Sequence, residues 1–287
     1  MNKTLTTSVL LLLCLLLVSA VQSIGINLVS AAEYGAGVFC PNNYSPDPFP
    51  YGAGDTEDEL ILSQLSLDYI KGYLYTLYDG YVFYYWGDTD PDPPRSPTVT
   101  SSTYYNTLNS LQNYNSKVTV VSKGHCVPWG DGDHYKLLCT VNPDAAYDST
   151  IWDYTGQCKT RFNFIWHCGT ARSYPVSIYY IILYGPKGMP LCFTHNVAMS
   201  KYGGSGVCVF AGWDYQSPQF ENKIPENDYW QWAQFAVGVF YYMRYYGWSL
   251  GTTLNQLSYW IYGVSFNSCP LYNDLVVWGN MNMVLTY

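Results

Sequence analysis

Short runs of aromatic and β-branched residues recur along this chain, most of them closed by a glycine, and they alternate with longer stretches of helical periodicity. No other feature constrains the fold as much. Residues 81–86 (YVFYYW, between Gly80 and Gly87), 117–122 (KVTVVS, ahead of Gly124), 161–168 (RFNFIWHC, ahead of Gly169) and 206–213 (GVCVFAGW) read as strands buried on both faces. Between them, Leu60, Ile61, Leu65, Leu67, Ile70, Leu74 and Leu77 recur at helical intervals over 57–77. Ser101 or Ser102 can cap a helix running to about Asn113, residues 228–246 form a long aromatic helix, and Ser249 caps another over 249–262. A shorter strand is expected at 135–141, and a strand pair around Gly279 and Asn280 over 276–286. Strands alternating with helices predict an α/β domain with a mainly parallel central sheet. Residues 33–58, rich in Gly, Pro, Asn and Asp, read as an N-terminal arm, which leaves 59–287 as the single folded domain.

The first two dozen residues carry a secretory pattern: Lys3, an apolar run over 8–18, then small residues, with cleavage after Ala20 or after Ala32. The run is too short to span a bilayer comfortably, and no later segment is long and apolar enough. Export predicts a secreted or cell-surface protein, with no membrane association beyond export itself. The formal charge is −8, and loss of the leader with Lys3 makes it more negative. An acidic chain without a Lys/Arg cluster is repelled by phosphate backbones, so nucleic acid is excluded as a partner.

Nine cysteines occur, and setting Cys14 aside with the leader leaves an even number. In an oxidising compartment that predicts disulfides, and Cys192 and Cys208, which flank one Gly-rich loop, are expected to pair. No Cys/His spacing fits structural zinc. Asp88, Asp90 and Asp92 open like a calcium loop, but Pro93 stands where the turn glycine belongs and Val99 where the bidentate Glu belongs. No metal and no cofactor is therefore expected. The 31 tyrosines and 10 tryptophans suit a surface that contacts glycans or a further copy of the chain.

Ligands of open parallel sheets sit at the carboxyl ends of strands. Two of the expected strands end there in reactive residues, one at Gly124–His125 and one at Cys168–Gly169. A thiolate nucleophile needs an imidazole and backbone N–H groups around the oxyanion, and strand-end loops can bring them together. His167 adjoins Cys168 but would point to the opposite face of its strand; His134 and His195 remain open as partners.

VVSKGHC and FNFIWHCGTA, 43 positions apart from His125 to Cys168, resemble the caspase, legumain and gingipain fold family of cysteine peptidases. CVFAGW is similar to that family's following strand, GWSLGTTLNQLSYWIYG to its late helix and VVWGNMNMVL to its closing segment. The resemblance implies a three-layer caspase-like α/β sandwich that hydrolyses peptide bonds in peptide or protein substrates. Cys168 would be the nucleophile and His125 the catalytic histidine, with the backbone at Cys126, Cys168 and Gly169 beside the oxyanion. Ala211, Gly212, Trp213 and Asp214 would bind substrate as an added strand. Asp131, Asp133 and Asp214 lie close enough in sequence to favour a basic residue before the scissile bond. One departure stands out: the family's residue after the histidine is glycine, and here it is Cys126. The competing classes are a catalytically inactive, disulfide-stapled binding or surface protein on the same fold and a structural coat subunit.

Overall fold

A strand apolar on both faces must be covered on both, and the central strands of this chain are. The computed structural model describes residues 32–41, 56–77, 82–86, 99–130, 134–139, 144–172, 181, 185–204, 206–225 and 227–285. The expected leader, residues 42–55 of the expected arm, the Asp88–Asp92 loop, Asp131 and Asp133 lie outside the described residues.

The strands are β1 (Ala32–Cys40), β2 (Val82–Trp86), β3 (Asn115–Lys123), β4 (Cys126–Trp129), β5 (His134–Leu138), β6 (Ala145–Tyr147), β7 (Thr160–Trp166), β8 (Met199–Ser200), β9 (Gly203–Gly204), β10 (Val209–Trp213), β11 (Lys223–Ile224), β12 (Asn227–Gln231) and β13 (Leu275–Gly279). The helices are α1 (Glu57–Tyr75), α2 (Ser101–Tyr114), α3 (Asp148–Tyr154), α4 (Met189–Thr194), α5 (Trp232–Tyr245), α6 (Leu250–Tyr262) and α7 (Leu271–Asp274). The main sheet runs β13-β10-β7-β3-β1-β2; every neighbouring pair is parallel except β10 with β13.

The period of two sorts the strand residues between two cores. Ala36, Val38, Cys40, Phe162, Phe164, Trp166, Val209, Ala211 and Val277 join one core with Leu67, Ile70 and Leu74 of α1 and the apolar faces of α5 and α6. Phe39, Val120, Ile165, Phe210 and Val276 join the other with Tyr104, Leu108 and Leu111 of α2, Ile151 of α3 and Phe193 of α4. Helices therefore cover both faces of a mainly parallel sheet.

The expected arm is corrected at its first residues: Ala32–Cys40 is a strand of the sheet interior, paired with both β2 and β3. Its glycines, which read as loop punctuation, are there for close packing. A Cβ on Gly35 would collide with the buried Asn115 side chain, and one on Gly37 would sit 3.1 Å from Leu111. Gly35→Ala is therefore expected to cost about 1–3 kcal/mol of stability, read as a lower urea midpoint with an unchanged m-value.

Smaller differences have local causes. Thr100, not Ser101 or Ser102, caps α2 by accepting the Thr103 N–H at 3.0 Å. The expected long aromatic helix starts four residues late, because residues 227–231 pair with β11 before α5 begins. In place of a strand pair at 276–286 there is one strand, β13, which antiparallel pairing locks against β10.

Candidate active site

The register of β3 with β7 runs to Lys123 opposite Trp166. Both chains then turn off the sheet together, and Gly124–His125 and His167–Cys168 leave it side by side. His125 and Cys168 are each half-buried, and both line one cavity of about 830 Å3 with Cys126, Trp213, Ser217 and Asp274. Of the four histidines, His125 is the one that lines this cavity.

His167 works from below. Its Nδ1 lies 2.8 Å from the His125 carbonyl oxygen, which can only accept, so Nδ1 carries the proton. Nε2 then accepts from the Ser122 hydroxyl at 2.7 Å, and Ser122 in turn accepts from the Tyr104 hydroxyl. Tyr104 is fixed by stacking on Phe39 with ring centroids 4.2 Å apart. This buried chain of donors, together with the Leu138 N–H at 2.9 Å, fills both lone pairs of the His125 carbonyl and fixes the backbone that carries the imidazole. Gly124 makes room for it: a Cβ there would lie 2.9 Å from the His167 ring.

Cys168 rests on a turn clamped to the exit of β10. The Gly169 N–H donates to the Tyr215 carbonyl at 2.5 Å, Ala171 N–H to the Trp213 carbonyl at 2.9 Å, and the Thr170 hydroxyl to the His167 carbonyl at 2.9 Å. Facing the sulfur is Ser217, whose N–H donates to Sγ at 3.3 Å and whose Oγ lies 3.4 Å away. Two of the expected backbone roles separate here. Gly169 has its N–H engaged with Tyr215, so its part is the turn itself, at φ +66° and with Tyr135 within 2.9 Å of where a Cβ would be; the expected oxyanion role of Gly169 is corrected on that ground. Cys126 pairs with Leu137 across the ladder bond from Leu138 N–H to His125, a non-hydrogen-bonded pair that turns the Cys126 N–H away from β5. Burial, then the neighbouring Cys168 and Asp148, push the Cys126 thiol well above its ordinary range, so it stays protonated.

The expectation that Ala211, Gly212, Trp213 and Asp214 receive a substrate strand is also corrected. β10 is an interior strand: Ala211 pairs with Phe164 on one side and Val277 on the other, and Gly212 with Ile165 and Val276. The Trp213 carbonyl and the Asp214 N–H are bonded to Ala171 and Asp274. No ladder groups are left on Ala211 or Gly212 for an incoming chain. The cavity is lined instead by Trp213 and by the next residues, Gln216, Ser217, Pro218 and Gln219. That segment follows directly on a strand's carboxyl end, the one sequence signal that could have pointed to it. The Asp214 carboxylate lies 3.8 Å from both the Arg172 guanidinium and the Lys201 ammonium, whereas exposed Asp274 is on the cavity wall.

An ion pair braces the cavity floor. Lys123, the last residue of β3, meets Glu59 of α1 at 2.7 Å, and both side chains are buried. The other Glu59 oxygen accepts the Glu221 N–H at 2.9 Å, and the Trp166 indole N–H donates to the Pro218 carbonyl at 2.8 Å. The cavity-lining segment is thus tied to a helix and to the sheet.

The remaining candidates fall elsewhere. His134 lies 3.1 Å from the buried Asp148 carboxylate, which also accepts the Tyr135 and Gly188 N–H groups. His195 stacks on Trp152 at 3.7 Å, and burial lowers its pKa. Cys192 and Cys208 are not bridged. Cys192 is in the core beside Phe193 with Asp148 and Asp153 as its charged neighbours, whereas Cys208 stands one residue before β10. All eight described cysteines, these two included, are free thiols. Among the described residues no group of three or more His, Cys, Asp or Glu could hold a metal, and no helix is long and apolar enough to cross a membrane. No family model and no curated protein matches the chain.

Proposed function

We propose that this protein is a secreted cysteine endopeptidase of caspase-like architecture, acting through Cys168 and His125. The observation that carries the reading is the delivery of the Cys168 thiol and the His125 imidazole, from adjacent parallel strand ends, to the wall of a single cavity. Cys168 Sγ attacks the scissile carbonyl, the oxyanion forms before the Cys126 N–H, and His125 passes a proton to the leaving amine. Water then hydrolyses the thioester. Trp213, Trp232 and Pro218 give the cavity an apolar wall, and Asp274 favours a basic substrate side chain. The caspase-like assignment draws on the helix-covered parallel sheet and on the VVSKGHC and HCGTA motifs leaving neighbouring strands.

A second reading, a catalytically inactive extracellular binding protein, is favoured by one observation. Tyr73, Tyr241, Tyr242, Tyr245, Tyr246, Trp248 and Trp260 form a linked aromatic surface on α1, α5 and the start and end of α6, where Tyr245 is 56% and Trp260 42% exposed. Such rings suit glycans or a second copy of the chain.

The readings part in one experiment on purified protein: alkylation with iodoacetamide followed by peptide mapping, alongside cleavage of a fluorogenic peptide library. The peptidase reading expects labelling at Cys168 and cleavage that the labelling abolishes. An unlabelled Cys168 and an uncut library would leave the binding protein.

A further inference from the structure

At the opposite end of the sheet from the cavity, two more cysteines line one smaller cavity. Cys158 stands two residues before β7 and Cys208 one residue before β10, and these strands are parallel neighbours, with Val209 opposite Phe162. Their amino ends enclose a second cavity of about 200 Å3, lined by Cys158 and Cys208 with Val207, Lys159 and Arg161. Cys158 is exposed and Cys208 buried, and both are free thiols. Cys158 holds φ +55°, a left-handed backbone that favours glycine, so a side chain is kept there against its conformational preference. We propose that Cys158 and Cys208 form a disulfide that ties the amino ends of β7 and β10 together.

The chemistry requires a disulfide oxidant, such as oxidised glutathione or a thiol–disulfide oxidoreductase. The exposed Cys158 sulfur, as thiolate, displaces one sulfur of that oxidant and forms a mixed disulfide. The Cys208 sulfur then displaces the remaining oxidant sulfur. One S–S bond forms and one breaks, the oxidant leaves as two thiols, and the protons given up by Cys158 and Cys208 end on those two sulfurs. Burial and the Cys158 charge push the Cys208 thiol up, while Arg161 beside it pulls the other way. Cys158 is exposed and Cys208 buried, so Cys158 is the first to meet the oxidant. This inference is independent of the catalytic reading, since neither cysteine lines the site of Cys168.

The full-length protein, purified reduced, is incubated with oxidised glutathione, blocked with iodoacetamide, and digested without reduction by trypsin and an aspartate-directed endopeptidase. The second enzyme cuts between Cys139 and Cys158, which otherwise share a tryptic peptide. The expected product is the Cys158 peptide joined to the Cys208 peptide. Carbamidomethyl groups on both cysteines, or Cys208 joined to Cys192 or any other partner, would overturn the proposal. Thermal melting gives a second measurement. Cys158→Ser is expected to lower the Tm by about 10 °C in the oxidised protein and to leave it unchanged under reduction, and the Cys158→Ser/Cys208→Ser double variant should melt with the single one when oxidised. Equal melting of oxidised wild type and Cys158→Ser would equally overturn it.

Discussion

Cys168→Ala is expected, on the proposed peptidase activity, to abolish peptide cleavage, with kcat falling by at least about four orders of magnitude, while the urea midpoint moves little. The sulfur is half-buried and its named partners are the N–H and hydroxyl of Ser217, so its loss leaves no buried charge and a small void. His125→Ala should give a comparable loss. Cys126→Gly separates backbone from side chain at the adjoining position: the N–H that turns away from β5 survives the change, so turnover should stay within about tenfold of wild type, although the buried side chain's packing is lost. A Cys168→Ala protein that still cleaves peptides at the wild-type rate would sink the assignment of the nucleophile.

Glu59→Gln unfolds the protein at markedly lower urea, by about 3–5 kcal/mol, although Glu59 lies in helix α1, more than sixty residues before either reacting group. The substitution leaves the Lys123 ammonium buried without its carboxylate at the end of β3. It also weakens the acceptor of the Glu221 N–H. The double variant Glu59→Leu/Lys123→Met removes both charges and should recover much of the loss, because a buried pair exchanged for apolar side chains is often neutral. Urea titration of the two variants against wild type decides it. A neutral Glu59→Gln would mean that water reaches Lys123.

Much of this architecture could be read from residue types alone. Strands β3, β7 and β10 announce themselves because both faces are apolar, and a run such as FNFIW has no alternative but burial. β1 was hidden because Gly35 and Gly37 carry the marks of a loop; their purpose, room for Asn115 and Leu111, exists only once β3 and α2 are in place. His125 and Cys168 were legible as strand-end residues. The role of His167 was not: the rule that neighbours in a strand face opposite ways turned it from the cavity, and nothing in the sequence says that a buried imidazole would meet Ser122 and the next strand's carbonyl. The cavity-lining segment lies a few residues beyond the expected one for a similar reason. VFAGW identifies a strand, but whether its edges are free depends on β13, which arrives from more than sixty residues later.

The segment beyond β10 is held in part through its main chain. The Pro218 carbonyl is fixed by Trp166 and the Glu221 N–H by Glu59, both of them main-chain atoms of the segment. Gln216 and Gln219, by contrast, line the cavity and take no part in the sheet. Part of the anchorage thereby rests on atoms that an exchange of Gln216 or Gln219 leaves in place. If the cavity receives substrate as proposed, exchanging those two glutamines is expected to change what it accepts while leaving the main-chain anchors in place, so that one framework could serve a succession of specificities.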